Sequence, residues 1–221
     1  MNGLEALQRY PSPRAGQDRV LLVMLPGVGI KAEDFATQGL VAVAHTARQA
    51  VDVIAVKPDQ ALYLDGAVAQ VLEQAVLAPA RADGYKRIWL LGISLGGMGA
   101  LSCAAEYGDD IEGLILLAPF LGTQGTVAEL REAGGFKGWQ AQTSAATLPE
   151  QQVISWLQNR QASASGPLIW LGYATNDRFA AGHRLLAAAI LPGQTVEVNG
   201  GHDWAAWRMA FQALMARNPL G

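Results

Sequence analysis

The chain has 221 residues, 51% hydrophobic and 16% charged, with a formal net charge of −3. That length suits one domain, 1–221, with a well-covered core, and the composition excludes a disordered chain. Scattered basic residues exclude an electrostatic footprint for nucleic acid, and the single cysteine, Cys103, excludes an internal disulfide and a cysteine metal site.

The N-terminal stretch MNGLEALQRYPSPRAGQDR contains no apolar core of signal-peptide length. The longest apolar runs are far shorter than a membrane span. The expectation is a cytoplasmic protein with no stable membrane association.

In chain order, short apolar runs predict strands at 20–25 (VLLVML), 51–56 (VDVIAV), 87–91 (RIWLL), 113–117 (GLILL), 167–171 (PLIWL) and 195–198 (TVEV). Most are continuous runs of Val, Ile and Leu, as in parallel strands covered on both faces. Helical character appears between them near 35–49, 67–81, 95–107, 182–190 and 205–216. Alternation of this kind predicts an α/β fold: a doubly wound, mostly parallel sheet of about six strands flanked by helices. The interval 120–166 breaks the rhythm. It contains two short helical stretches, TVAELREA and PEQQVISWLQNR, separated by GGFKGWQAQTSAA, and ends in a polar loop at 162–166. An excursion leaving the carboxyl end of a strand is a candidate cap or lid over a site.

Gly92-Ile93-Ser94-Leu95-Gly96 matches G-x-S-x-G, with a predicted strand before it and a predicted helix after it. In that context the serine occupies a sharp strand-to-helix turn, a nucleophile elbow, with unfavourable backbone angles. Glycines are needed there because a Cβ would collide with the neighbouring strand and helix. A serine hydroxyl is a weak nucleophile and needs a base. His45 falls inside the early helix and His183 in the first turn of a later one, whereas His202 sits in the glycine-bearing loop NGGHDW after the last strand. From there an imidazole can swing onto a serine presented at the same sheet edge. The carboxylate that orients it is Asp177, in GYATNDRF beyond the preceding strand. Asp203 reads instead as a helix cap for AAWRMAFQAL. The order Ser94, Asp177, His202 is that of one hydrolase class.

Together GISLGG, ATNDRF and GGHDWAAW resemble the α/β-hydrolase fold, in particular its small single-domain serine esterases, from about residue 20 to 215. The resemblance implies an oxyanion hole made by two backbone N–H groups. One is that of Leu95, after the nucleophile; the other is that of Val28 in LPGVGI, where proline replaces the family's usual histidine. It further implies hydrolysis of a small-molecule carboxylic ester through an acyl-enzyme, with no metal or organic cofactor. Phe120, Trp139, Tyr63 and Trp204 lie on predicted loops and are candidates to line the substrate pocket. A thioesterase or other acyl hydrolase on the same triad, and a non-catalytic ligand-binding protein of this fold, remain the alternatives. A nucleotide or flavin binder is disfavoured, because PGVGIKAEDF matches neither phosphate-loop pattern.

Overall fold

The long apolar runs form the centre of a seven-stranded sheet in the computed structural model, buried on both faces. The model describes residues 3–14, 18–47, 49–140, 148–163 and 166–221. The strands are β1 (Leu4–Tyr10), β2 (Val20–Leu25), β3 (Val51–Pro58), β4 (Arg87–Ile93), β5 (Gly113–Leu117), β6 (Leu168–Ala174) and β7 (Thr195–Val198). Their order is β1-β3-β2-β4-β5-β6-β7, with β1 antiparallel to β3 and every other pairing parallel. All six strands expected from the sequence are present.

The missed strand is β1. Its sequence, LEALQRY, is half-exposed and mixes polar with apolar residues, as an antiparallel edge strand with one wet face can. No continuous apolar run announces it.

Both faces of the sheet are covered. Leu21, Val23 and Leu25 of β2 join one hydrophobic cluster, while Val20, Leu22 and Met24 join the other. The first cluster packs under α4 (Val68–Leu72), α6 (Leu95–Tyr107) and α8 (Pro149–Ser163). The second is covered by α2 (Leu40–Ala44) and α10 (Trp204–Met215). The remaining helices are α1 (Asp34–Thr37), α3 (Ala61–Leu64), α5 (Ala78–Ala82), α7 (Gln124–Glu132) and α9 (Ala180–Ala187).

Two helix expectations change in detail. The single helix predicted over 35–49 is split into α1 and α2 by Gly39, whose φ of 84° takes the chain out of the right-handed region. The helical path over 68–82 contains a π-helical segment, Glu73–Leu77, directly before Pro79 in α5. Proline cannot donate to the residue four back and its ring crowds that carbonyl, so a widened turn accommodates it.

The 120–166 excursion divides in two. Helix α7 packs against α9, and α8 lies on α6 with Val153, Ile154 and Leu157 in the core. Its residues 141–147 and 164–165 lie outside the described residues, and α8 extends to Ser163, into the stretch expected as loop.

Parallel pairing brings the carboxyl ends of β2, β4, β5, β6 and β7 to one edge. The tightest packing there is between the start of α6 and the end of β2. A Cβ placed on Gly96 would lie 2.1 Å from the Leu25 carbonyl oxygen, which nothing nearby can relieve. Gly96→Ala is therefore expected to cost about 3 kcal/mol or more. Gly182, inside α9, has its nearest neighbour at 3.5 Å, an ordinary contact. Gly182→Ala should be neutral or stabilise by up to about 1 kcal/mol, because alanine is the better helix former. Urea unfolding of both variants beside the native chain measures the contrast.

Candidate active site

Ser94 links the end of β4 to the start of α6 with φ 52° and ψ −116°. A non-glycine residue there costs on the order of 1–3 kcal/mol and persists only where its surroundings over-determine it. They do. The Ser94 N–H donates to Leu117 O at 3.0 Å, and its carbonyl accepts from Gly97 N and Phe120 N, each at 2.9 Å. Clearance comes from three glycines. A Cβ on Gly92 would lie 2.3 Å from Gly96 O, and one on Gly97 would lie 2.6 Å from the Pro119 side chain; Gly96 is blocked by β2.

The β6 and β7 loops deliver the other two groups. Thr175 N–H donates to Val198 O and Asn176 N–H to Gly200 O, so the loops are tied side by side. Asp177 and His202 meet across this seam, with His202 Nδ1 2.7 Å from Asp177 Oδ2. On its other side, His202 Nε2 lies 2.9 Å from Ser94 Oγ. An ionised carboxylate only accepts, so the Nδ1 proton points at Asp177 and bare Nε2 accepts from the serine hydroxyl.

The imidazole is held between aromatic rings. Phe179 and Trp207 each stand nearly perpendicular to it with centroids 5.1 Å away. Asp177 is fully buried at its side chain. Burial works to raise its pKa, but the hydrogen bonds from His202 and from Phe179 N–H (2.8 Å to Oδ1) outweigh it. The result is a carboxyl below its ordinary range, hence an anion.

The positions expected to form an oxyanion hole lie near Ser94. A Cβ on Gly27 would lie 3.1 Å from Ser94 Cβ, so the chain at Gly27 passes directly beside that serine. Val28 is 65% exposed, and Gly29 after it turns with φ 76°. Leu95 opens α6, so its N–H has no acceptor within the helix.

The four expected aromatic residues scatter. Phe120 is at the site: its N–H bonds Ser94 O, and its ring meets Phe179 edge-on at 5.7 Å. Trp204 is the first residue of α10 and packs on Phe35 and Trp207. Tyr63 and Trp139 are buried in the sheet's first cluster, Tyr63 against Gly99 and Trp139 beside α8. The sequence places both on loops; Tyr63 instead lies within α3 and Trp139 directly follows the short turn Phe136–Gly138, and both rings turn inward. Asp203 caps α10, accepting from Ala206 N–H at 3.0 Å. His45 lies at the end of α2.

His183 had no distinguishing sequence signal. It is completely buried in α9 and donates from Nε2 to Pro119 O at 3.0 Å, leaving Nδ1 without a partner. Burial pushes its pKa down to about 4, against the opposing pull of Asp177 and the Pro119 carbonyl. It is therefore neutral beside the catalytic-type pair. Among the described residues no group of three or more His, Cys, Asp or Glu could hold a metal ion, and no helix is long and apolar enough to cross a membrane.

A strained serine elbow on a mostly parallel sheet, with histidine and aspartate supplied by the two following strand ends, places the fold among the α/β-hydrolases. The sequence matches the family described as serine aminopeptidase, S33, over residues 68–198, more than half of the chain, and the protein belongs to that family of serine hydrolases. The matched span contains Ser94 and Asp177 and stops short of His202.

Solved structures similar to the chain include the fluorophosphonate-binding serine hydrolase F (FphF) of Staphylococcus aureus. It is 16% identical, with a TM-score of 0.68 over 96% of this chain and 97% of that one. Est1E of Butyrivibrio proteoclasticus is 16% identical with a TM-score of 0.65, over 97% and 94%. An S-formylglutathione hydrolase of Agrobacterium tumefaciens is 14% identical with a TM-score of 0.64, over 97% and 90%. At these identities the likeness is one of fold. No curated protein matches the chain.

The depressed pKa of His183 has a consequence for stability. Unfolded, the residue takes up a proton as pH falls through about 6.5; folded, it resists until about 4. Stability is thus full above 6.5 and is lost progressively between 6.5 and 4, by about 3 kcal/mol. Urea unfolding at pH 7 and at pH 4.5 should show a steeper loss for the native chain than for His183→Gln, whose amide can still donate to Pro119 O.

Proposed function

We propose that the protein hydrolyses carboxylic esters of small molecules through an acyl-enzyme, with Ser94 as nucleophile, His202 as general base and acid, and Asp177 as the orienting carboxylate. The observation that carries this reading is the unbroken hydrogen-bond chain from Ser94 Oγ through both ring nitrogens of His202 to Asp177. His202 Nε2 takes the serine proton as Oγ attacks the carbonyl carbon, and Asp177 stabilises the imidazolium that forms. The N–H groups of Leu95 and Val28 receive the oxyanion, each such donor contributing on the order of 3 kcal/mol. Collapse expels the alcohol, protonated by His202. Water, activated by the same nitrogen, then releases the acid. No metal or organic cofactor takes part in this scheme, and the setting is a cytoplasmic one.

Of the 120–166 excursion, the α7 half borders the approach to the site, while α8 serves the core. Phe120 lines the substrate side of the serine, and Trp204 supports the aromatic stack behind His202.

A second acyl-transfer reading, thioester hydrolysis, uses the same groups, and a structural neighbour is an S-formylglutathione hydrolase. The family's description as an aminopeptidase raises a third. An aminopeptidase must receive a free ammonium group, and the cavity beside the site, between α7 and α9, is lined by arginines and no carboxylate. That charge favours the ester reading over it.

Labelling with a fluorophosphonate tests the nucleophile. Ser94→Ala should abolish labelling, and His202→Ala should slow it severely. Turnover of p-nitrophenyl acetate should fall by about 10⁴-fold or more in Ser94→Ala, and by about 10³–10⁴-fold in Asp177→Asn, which breaks the orienting contact. Undiminished labelling of Ser94→Ala at another serine would remove the assignment.

A further inference from the structure

Beside the aromatic pair Phe120–Phe179 lies a cavity of about 560 Å³ between α7 and α9. Helix α7 contributes Gln124, Val127, Ala128 and Arg131, spaced i, i+3, i+4, i+7, so one whole face of the helix turns toward it. Its walls are otherwise mainly apolar: Pro119, Leu121, Phe179 and Leu185. Among the described residues, the arginines that line it are Arg131, Arg178 and Arg184, and no aspartate or glutamate lines it.

Those arginines are not equally committed elsewhere. Arg184 reaches Thr175 O at 3.4 Å and Glu197 at a loose 3.9 Å. Arg178 lies over the Phe179 ring, 5.0 Å from its centroid. Neither Arg131 nor Arg178 has an ion-pair partner among the described residues. Two guanidinium forks at the mouth of an apolar cavity, without a carboxylate to neutralise them, suit a ligand with an apolar stem and an anionic end.

Phe179 connects this cavity to the chemistry. It lines the cavity, meets the His202 ring edge-on at 5.1 Å and touches Phe120, whose N–H holds the Ser94 carbonyl. We propose that the cavity binds the carboxylate-bearing end of the substrate, so that the esters taken by this enzyme carry a free carboxylate a few carbons from the scissile bond, paired by Arg131 and Arg178. The inference rests on the ester-hydrolase reading of Ser94, and it names the substrate class of that same site. The free carboxylate belongs either to the acyl chain, in a half-ester of a dicarboxylic acid, or to the alcohol.

Two sets of length-matched esters separate these sources. The acyl arm compares p-nitrophenyl half-esters of glutaric, adipic and suberic acids with p-nitrophenyl pentanoate, hexanoate and octanoate. The alcohol arm compares 4-acetoxybenzoate with its methyl ester. One arm should show an anionic-to-neutral ratio of kcat/KM of about tenfold or more at low ionic strength, shrinking as salt is added. In the Arg131→Gln/Arg178→Gln double variant the ratio should fall toward one. In the Arg131→Glu/Arg178→Glu variant it should invert. Arg208→Gln, on α10 away from the cavity, should leave the native ratio intact.

Neutral esters preferred in both arms, with fluorophosphonate labelling of Ser94 intact, would overturn the proposal while leaving the ester-hydrolase reading standing. So would an anionic preference undiminished in the double glutamine variant. Failure of Ser94 to label would instead remove the underlying reading, and this inference with it.

Discussion

The whole site depends on one backbone corner. Ser94 can hold its positive-φ conformation only because the start of α6 approaches β4, the end of β2 and the turn after β5 more closely than a side chain allows, and Gly92, Gly96 and Gly97 supply that clearance. The strain is balanced by hydrogen bonds from both directions: Leu117 in β5 accepts from its N–H, and Gly97 and Phe120 donate to its carbonyl. Because these partners come from three elements, the serine cannot relax without the sheet edge and the first turn of α6 moving together. The direction of the Ser94 side chain is thus largely a property of the fold.

The base is constrained differently. His202 lies on a loop, and what fixes it is a set of weak restraints acting at once. Backbone bonds tie its loop to that of Asp177, the carboxylate holds Nδ1, and Phe179 and Trp207 flank the ring. Beneath this lies His183, kept neutral by burial and bonded to the Pro119 carbonyl in the strand-end turn that also carries Phe120. Ala118, with φ 47°, begins that turn. The residues after β5 therefore act as a strut between the serine corner and α9.

How much of this was readable in advance follows from how each feature is encoded. Buried parallel strands need apolar residues at every position, so VLLVML and GLILL declare themselves, and the elbow needs glycines at fixed offsets from Ser94. That Asp177 and His202 meet was legible because chain order and strand ends restrict which carboxylate and imidazole can come together. Edge strand β1 was not, since one wet face erases the apolar run. Neither was the fate of Tyr63 and Trp139: a four-residue helix and a single short turn are too brief to show a periodicity that says which way a ring points. His183 was unreadable for the opposite reason, because a helix position carries no mark of complete burial when the residue is polar. The α7 face was present as a spacing in the sequence, but only the packing of α7 on α9 turns that spacing into a cavity wall.

The positions of charge around the serine complete the physical picture. Asp177 is an anion sealed from water, and its compensation is local, through His202 and a backbone N–H. His183, packed in the same layer, stays uncharged. The arginines lining the cavity are joined to this layer through Phe179, which lines the cavity too and meets the His202 ring edge-on. An ion pair made there is shielded on one side by aromatic rings and open to solvent on the other, a setting in which a guanidinium discriminates by charge while the cost of desolvating it stays modest. Ser94 and the cavity are in this way separated by one layer of rings. On the proposed reading, the chemistry at Ser94 can remain fixed while the cavity chooses what reaches it.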